Sequence, residues 1–312
     1  MPGSIDRREF LRKTAIAGGV AAGTAATGLS GLFTDPAYAA VGARWGALAL
    51  PAGGQHDQQT AVATLERQVG RKFYTTHYRM PWTSPLVNGF TKWSHHSGHP
   101  RQILSWFART KAGPIGWRGI ADGNHDAWIT RQARMLKAVR WNGYFCFHKE
   151  PEDEGNADDW KAAYHRVHQI FSNVGVTGFR WVVCLMASTY SSGDAGAWIP
   201  DRYGLLGVDA YNRGGCRNGA DWRPLSQIAE DALRFARRRD KKLYIIETGC
   251  VEGSDGRKAD WMANAHTWVK RHPGIVGVSY NHENSDCNYH VDTTSSSLAA
   301  FRRWGQDNYF GG

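Results

Sequence analysis

A single (β/α)₈ barrel, the TIM-barrel architecture, accounts for three features of this 312-residue sequence. Short apolar runs recur eight times, amphipathic stretches of helical period separate several of them, and the runs are apolar almost without interruption, as strands buried on both faces are. A doubly wound open sheet shares these features, but no Gly-x-Gly-x-x-Gly follows the first run to cradle a dinucleotide. The length suits one large domain, with no linker and no second domain.

The first strand is "WGALAL" (45–50). In "TAVATLERQVGRK" the residues Val62, Leu65 and Val69 share one helical face. "KFYTTHY" (72–78) is β-branched and aromatic, hence a strand, and "QILSWFA" (102–108) is the third. "DGNHDAWITRQARMLKAV" opens on capping residues and aligns Ile129, Ala133 and Leu136. "GYFCFH" is the fourth strand, followed by a helix that aligns Trp160, Ala163, Val167 and Ile170. "FRWVVCLMAS" (179–188), "YGLLGVDAYN" (203–212), "LYIIETGC" (243–250) and "IVGVSYN" (275–281) complete the eight. Helices "PLSQIAEDALRFARRR" and "ADWMANAHTWVKR" fall between the later strands.

The first forty residues stand apart. Arg7 and Arg8 followed by Phe10 and Leu11 resemble a twin-arginine export signal, and "PAYAA" offers small residues at Ala37 and Ala39. The expected division is therefore a cleaved signal over 1–39 and a catalytic barrel over 40–312, secreted or periplasmic, monomeric and not membrane-bound. The Ala15–Leu32 run, broken by glycines, is too weakly apolar for an anchor. Cleavage lowers the formal charge only from +10 to +9, because the segment holds four cations and three carboxylates. The cations of the remaining chain are scattered, and the one dense run, "RFARRRDKK", ends a helix where cations suit the dipole, so no nucleic-acid partner is expected. Cys146 and Cys184 fall in core strands as buried thiols. An oxidising compartment would pair two of Cys216, Cys250 and Cys287, and the sequence leaves open which two.

In a barrel of this kind the chemistry sits where strands run into the loops after them. Those positions collect His77 and Tyr78, Trp106, His148 with Glu150, Asp209 with Tyr211 and Asn212, Glu247, and Asn281 with His282. Glu150 and Glu247 end the fourth and seventh strands, on opposite walls. Two facing carboxylates are what glycosidic cleavage requires, one to protonate the leaving oxygen and one to attack the anomeric carbon. Trp82, Trp106, Trp198 and Trp222 fall on the same face as candidate sugar platforms, whereas Trp160, Trp261 and Trp268 have helical spacing and read as core.

The ordered segments resemble glycoside hydrolase family 26, barrel enzymes typified by β-mannanases. The likeness runs through "LERQVGRKFYTTHY", "ILSWFA", "WRGIADGNHDAWITRQARMLKA", "FCFHKEPEDEGNADDWKAAYHRV", "GLLGVDAYN", "LYIIETG" and "DCNYHVDTTSSSLAAFRRW". It implies Glu150 as acid/base, Glu247 as nucleophile, Tyr211 as a hydrogen-bond donor to the nucleophile, Asp209 and Asn212 as support, and His148 as orienter of the acid. It also implies retention of configuration, endo action, a polysaccharide partner with β-mannan as default, and no cofactor or metal. One position departs. The family usually has His immediately before its acid/base Glu, and here Lys149 stands there, an ammonium that favours an ionised neighbour. Either Lys149 turns away, or the sugar at the scissile bond differs from mannose.

Other readings weigh less. Mixed-linkage glucan, β-1,3-xylan or an anionic glycan are alternative substrates, the last suggested by the basic charge and Lys149. A non-catalytic carbohydrate-binding barrel would not need both carboxylates. The acidic run Glu152 to Asp159 lacks calcium-loop spacing. His95, His96 and His99, read as a loop near the cleft, lack the glutamate of a zinc-peptidase helix.

Overall fold

The computed structural model describes residues 42–52 and 55–311, so the export-signal segment lies outside the described residues. Eight strands close into an all-parallel barrel: β1 Arg44–Ala49, β2 Thr75–Pro81, β3 Arg101–Phe107, β4 Gly143–Phe147, β5 Phe179–Met186, β6 Leu205–Asn212, β7 Leu243–Cys250 and β8 Ile275–His282. Each pairs with its sequence neighbours, and β1 closes the ring on β8, with Arg44 to Ala49 opposite Gly277 to His282. Every apolar run anticipated as a strand is one.

The helices are α1 Gln58–Val69, α2 Gly89–His96, α3 Trp117–Ala121, α4 Asp126–Val139, α5 Ala157–Val174, α6 Ala187–Ser192, α7 Leu225–Arg238, α8 Arg257–Lys270 and α9 Ser295–Gln306. Local chemistry sets their ends. Asn156 caps α5 by accepting the Asp159 N–H, and Gly175 closes it at φ 86°, a left-handed turn that a Cβ would oppose. Asp57 caps α1 in the same way, through the Thr60 N–H. The third strand's approach differs from expectation. The histidine segment is not a loop at the cleft: His95 and His96 end α2, and His99 is buried just before β3, at the barrel end where the strands begin. There His99 meets Glu66 and the Ser94 carbonyl, a structural pairing that fixes α1 against α2.

Period-two alternation divides the core into two shells. Ile103, Tyr144, Cys146, Val182, Cys184, Tyr244 and Ile246 pack in the lumen, while Leu104, Phe145, Trp181, Val183 and Ile245 meet the helices. Trp106 belongs to the outer shell. It is fully buried and stacks on Trp82, with centroids 4.2 Å apart and planes 12° from parallel. Trp106, Trp82 and Trp198 are thus core residues, with no ring face left for a sugar. Trp222 is half-buried, with the Arg257 guanidinium 4.4 Å from its ring.

Candidate active site

The segment after β4 is built against backbone preference. His148 (φ 46°) and Glu150 (φ 52°) both take left-handed conformations that non-glycine residues seldom adopt. Three bonds hold the kink: the His148 N–H donates to the Trp106 carbonyl, the Glu150 N–H to the Cys184 carbonyl, and the Ala108 N–H to His148 Nδ1. Because that ring nitrogen accepts, the proton sits on Nε2, which faces Glu154 at 2.9 Å. Glu154 also meets Arg109 at 2.7 Å. Burial would raise the Glu154 carboxyl, but these two partners outweigh it and hold it down to about 2. Glu152 accepts the Met186 N–H, and burial pushes its carboxyl up to about 7. Asp158 pairs with Lys161. These carboxylates thus have separate protein partners rather than converging on a calcium cage.

Glu247 reaches the lumen through a bulge. Along β6 and β7 the register runs Gly207 to Tyr244 and Val208 to Ile245, then jumps to Asp209 opposite Glu247. Ile246 is the extra residue, and the pairing of β7 with β8 slips at the same place. Strict alternation would send Glu247 outward beside Leu243 and Ile245; the extra residue turns it inward. It therefore lies within β7, three residues before the strand's end.

Around Glu247 the lumen is polar and almost closed. Its Oε2 accepts from the Tyr211 hydroxyl at 2.7 Å and lies 3.0 Å from Lys149 Nζ. Its Oε1 is buried without a hydrogen bond among the described residues, 3.7 Å from His77 Nδ1 and 3.9 Å from Arg79 Nε. Burial alone would raise this carboxyl, but Lys149, Arg79, His77 and the Tyr211 hydroxyl together hold it well below the usual range, so it stays ionised. His77 bonds Ser105 Oγ at 2.8 Å, and burial depresses it to about 3, leaving it neutral. Asn281 donates to the Tyr211 hydroxyl and to Glu283, which pairs with Arg79.

Lys149 does not turn away. Its ammonium, 3% exposed, meets Asp209 at 2.5 Å, Glu247 at 3.0 Å and Glu150 at 3.3 Å. Burial opposes its charge, yet the three carboxylates more than offset that and hold Lys149 protonated. Burial pushes Asp209 well up despite Lys149, and the nearby Glu247 and Glu150 charges add to the rise. The Cys184 thiol donates to its other oxygen at 3.1 Å. Since one Glu150 oxygen and one Glu247 oxygen both touch the same nitrogen, those two oxygens are at most about 6.3 Å apart (3.3 plus 3.0 Å), so the two carboxyls face each other across one ammonium.

Of the residues expected here, Glu150, Glu247, Lys149, Asp209, Tyr211, Asn281 and His77 converge, and His148 braces the segment from behind. Asn212 does not touch the carboxylates; its Oδ1 accepts the Gly214 and Arg223 N–H groups and its amide meets Cys250, which shapes the loop after β6. His282 also faces elsewhere. It stacks on His290 at 4.5 Å beside a cavity of about 820 Å³ that Glu283 and Asp292 also line. Neither Glu150 nor Glu247 lines this cavity. His282, His290 and Asp292 have metal-ligand atoms within 4.8 Å of one another. However, His282 Nδ1 accepts the Val291 N–H, which leaves its other nitrogen protonated rather than free to ligate.

Sequence reading missed Arg79 and Glu283. Each is two residues from a site residue, Arg79 from His77 along β2 and Glu283 from Asn281 just past the end of β8, so period-two spacing was the available signal. It also left the disulfide open: Cys216 pairs with Cys287, tying the loop after β6 to the loop after β8, while Cys146, Cys184 and Cys250 are free and buried.

No family model matches the chain, and no curated protein does. Solved structures do. A ruminal GH26 endo-β-1,4-mannanase superposes with TM-score 0.59 at 14% identity over 86% of this chain, which spans only 64% of that enzyme's length. A GH26 β-mannanase from Bacteroides ovatus gives 0.63 at 14% identity, over 88% of this chain and 91% of that one. A β-mannanase from a symbiotic protist of the termite Reticulitermes speratus, solved with a gluco-manno-oligosaccharide, gives 0.60 at 14% over 86% and 88%. The chain has a GH26-like (β/α)₈ fold.

Proposed function

We propose that the chain is a retaining endo-β-glycanase acting by double displacement, with β-mannan as the first substrate to test. One observation carries this: Glu247 is held ionised with Oε1 unbonded, and Glu150 faces it across the single ammonium of Lys149, an arrangement that accommodates the roughly 5 Å spacing of a retaining pair. Glu247 Oε1 attacks the anomeric carbon, the glycosidic C–O bond breaks, and the Glu150 proton goes to the leaving oxygen. Water then attacks the same carbon, Glu150 takes its proton, and the ester bond to Glu247 breaks. Two inversions return the starting configuration.

Each neighbour has a part. Tyr211, itself held by Asn281, fixes the Glu247 oxygen that does not attack. The His77 ring, kept neutral by burial, lines the attacking oxygen without protonating it. Glu150, about a third exposed, is open to the leaving group and to water. The mannanase likeness of the fold supports mannan over the alternatives. The Lys149 argument for an anionic glycan falls away, because that charge is already spent on three carboxylates. Export by the twin-arginine route, with 40–312 as the mature catalytic chain, remains part of the proposal and fits the disulfide.

The test is incubation of wild type and Glu247→Ala with β-mannan, mixed-linkage glucan, β-1,3-xylan and an anionic glycan, with products read by mass spectrometry. Oligosaccharides from mannan with wild type alone are expected. Binding without cleavage by either protein would instead favour a carbohydrate-binding barrel.

A further inference from the structure

Lys149 stands where an acid/base site would be expected to avoid a fixed cation. Its ammonium faces three carboxylates from three walls: it donates hydrogen bonds to Asp209 on β6 and Glu150 after β4, and lies at ion-pair distance, 3.0 Å, from Glu247 on β7. The side chain is 3% exposed, so almost no water shares the charge. The other groups facing it are the Cys146 and Cys184 thiols, which burial keeps protonated, the Phe107 ring at 5.8 Å, neutral His77, and Arg79, whose partners are Glu283 and Glu247. Of all the groups around the ammonium, Glu150 and Glu247 are the ones whose charge the reaction rearranges.

We propose that Lys149 is a positioning residue that holds Glu247 ionised before attack and transfers its pull to Glu150 and Asp209 once the glycosyl ester forms. This rests on the double-displacement reading above. Forming the ester removes the Glu247 charge while Glu150 gives its proton to the leaving oxygen, so the ammonium exchanges one ionised glutamate for the other and steadies Glu150 as the carboxylate that the second step requires. Asp209 keeps Lys149 anchored throughout, from the far side at 2.5 Å. The exchange needs no co-reactant; one negative charge passes from Glu247 to Glu150 and returns to Glu247 on hydrolysis. The cost falls on the first step, in which Glu150 must carry a proton beside a cation.

The experiment compares wild type, Lys149→Met, Lys149→Arg and the double variant Lys149→Met/Asp209→Asn. Two substrates are used: β-mannan, and a dinitrophenyl β-mannobioside whose leaving group needs no proton. In Lys149→Met both limbs of the pH–rate profile on mannan should move up by about one pH unit or more. On the aryl glycoside, steady-state turnover below the alkaline limb should fall at least about tenfold, with a burst of one dinitrophenolate per enzyme. Lys149→Arg should restore the limbs. If the single variant does not fold, the double variant, which removes both charges of the buried pair, carries the same readouts. A uniform loss with unmoved limbs and no burst would overturn the assignment and leave the glycosidase intact. A wild type inactive on both substrates would overturn the glycosidase reading, and this one with it.

Discussion

Glu150 and Lys149 are chain neighbours whose charged ends meet at 3.3 Å, yet one is about a third open to solvent and the other is buried in the lumen, in a segment with left-handed turns at His148 and Glu150. At this scale the chemistry makes separable predictions. Glu247→Ala should lose at least about a thousandfold in kcat. Added azide should then restore turnover with an α-glycosyl azide as product, detectable by NMR; no rescue would argue against Glu247 as nucleophile. Glu150→Ala should lose about 10²- to 10⁴-fold on mannan but keep the first step on the dinitrophenyl glycoside, seen as a burst. Tyr211→Phe deletes one hydrogen bond to a charged oxygen, worth about 1.5–3 kcal/mol, so kcat should fall about ten- to a hundredfold with KM little changed. The identities of these three residues were readable in the sequence. The buried ammonium joining Glu150 to Glu247 was not, because Lys149 looks the same in one dimension whether it points out or in.

Elements decide where those residues can act. The bulge at Ile246 is why Glu247 faces the lumen: without it, alternation from Leu243 would place the carboxylate against the helices. No composition cue marks it, since "LYIIETGC" reads as an unbroken buried strand. The Trp82–Trp106 stack was misread for a related reason: both lie near the catalytic end, and only the pleat shows that they face the outer shell. Trp82→Ala should therefore cost about 3–5 kcal/mol of stability, measured by urea denaturation, while leaving KM for mannan nearly unchanged. A large KM effect with little destabilisation would return Trp82 to the cleft. Between loops, Cys216–Cys287 closes a span of 71 residues. Chain entropy gives such a crosslink about 4 kcal/mol, so Cys216→Ser should lower Tm by several degrees, and reductant should do the same to wild type but not to the variant.

For the molecule as a whole, buried neutral histidines tie stability to pH. His77 and His282 titrate at about 3 and about 4 in the fold, below their unfolded value near 6.5. Between those values the unfolded chain binds protons that the folded one does not, so stability is full above about pH 6.5 and falls as pH drops toward 4. Tm should decline across that window, and His282→Gln should flatten the slope; an unchanged slope would assign the acid sensitivity to other groups. By itself the sequence determined the eight strands, the barrel, the buried thiols and the choice of Glu150 and Glu247 as candidates, because local periodicity and residue chemistry fix which segments are buried and which side chains can transfer protons. Only the tertiary structure decided the inward turn of Glu247, the burial of Lys149, the removal of Trp106 and His282 from the site, the recruitment of Arg79 and Glu283, and the pairing of Cys216 with Cys287. Each of these depends on register, on a bulge, or on two loops distant in sequence meeting at one end of the barrel. Such long-range geometry has no local signature along the chain.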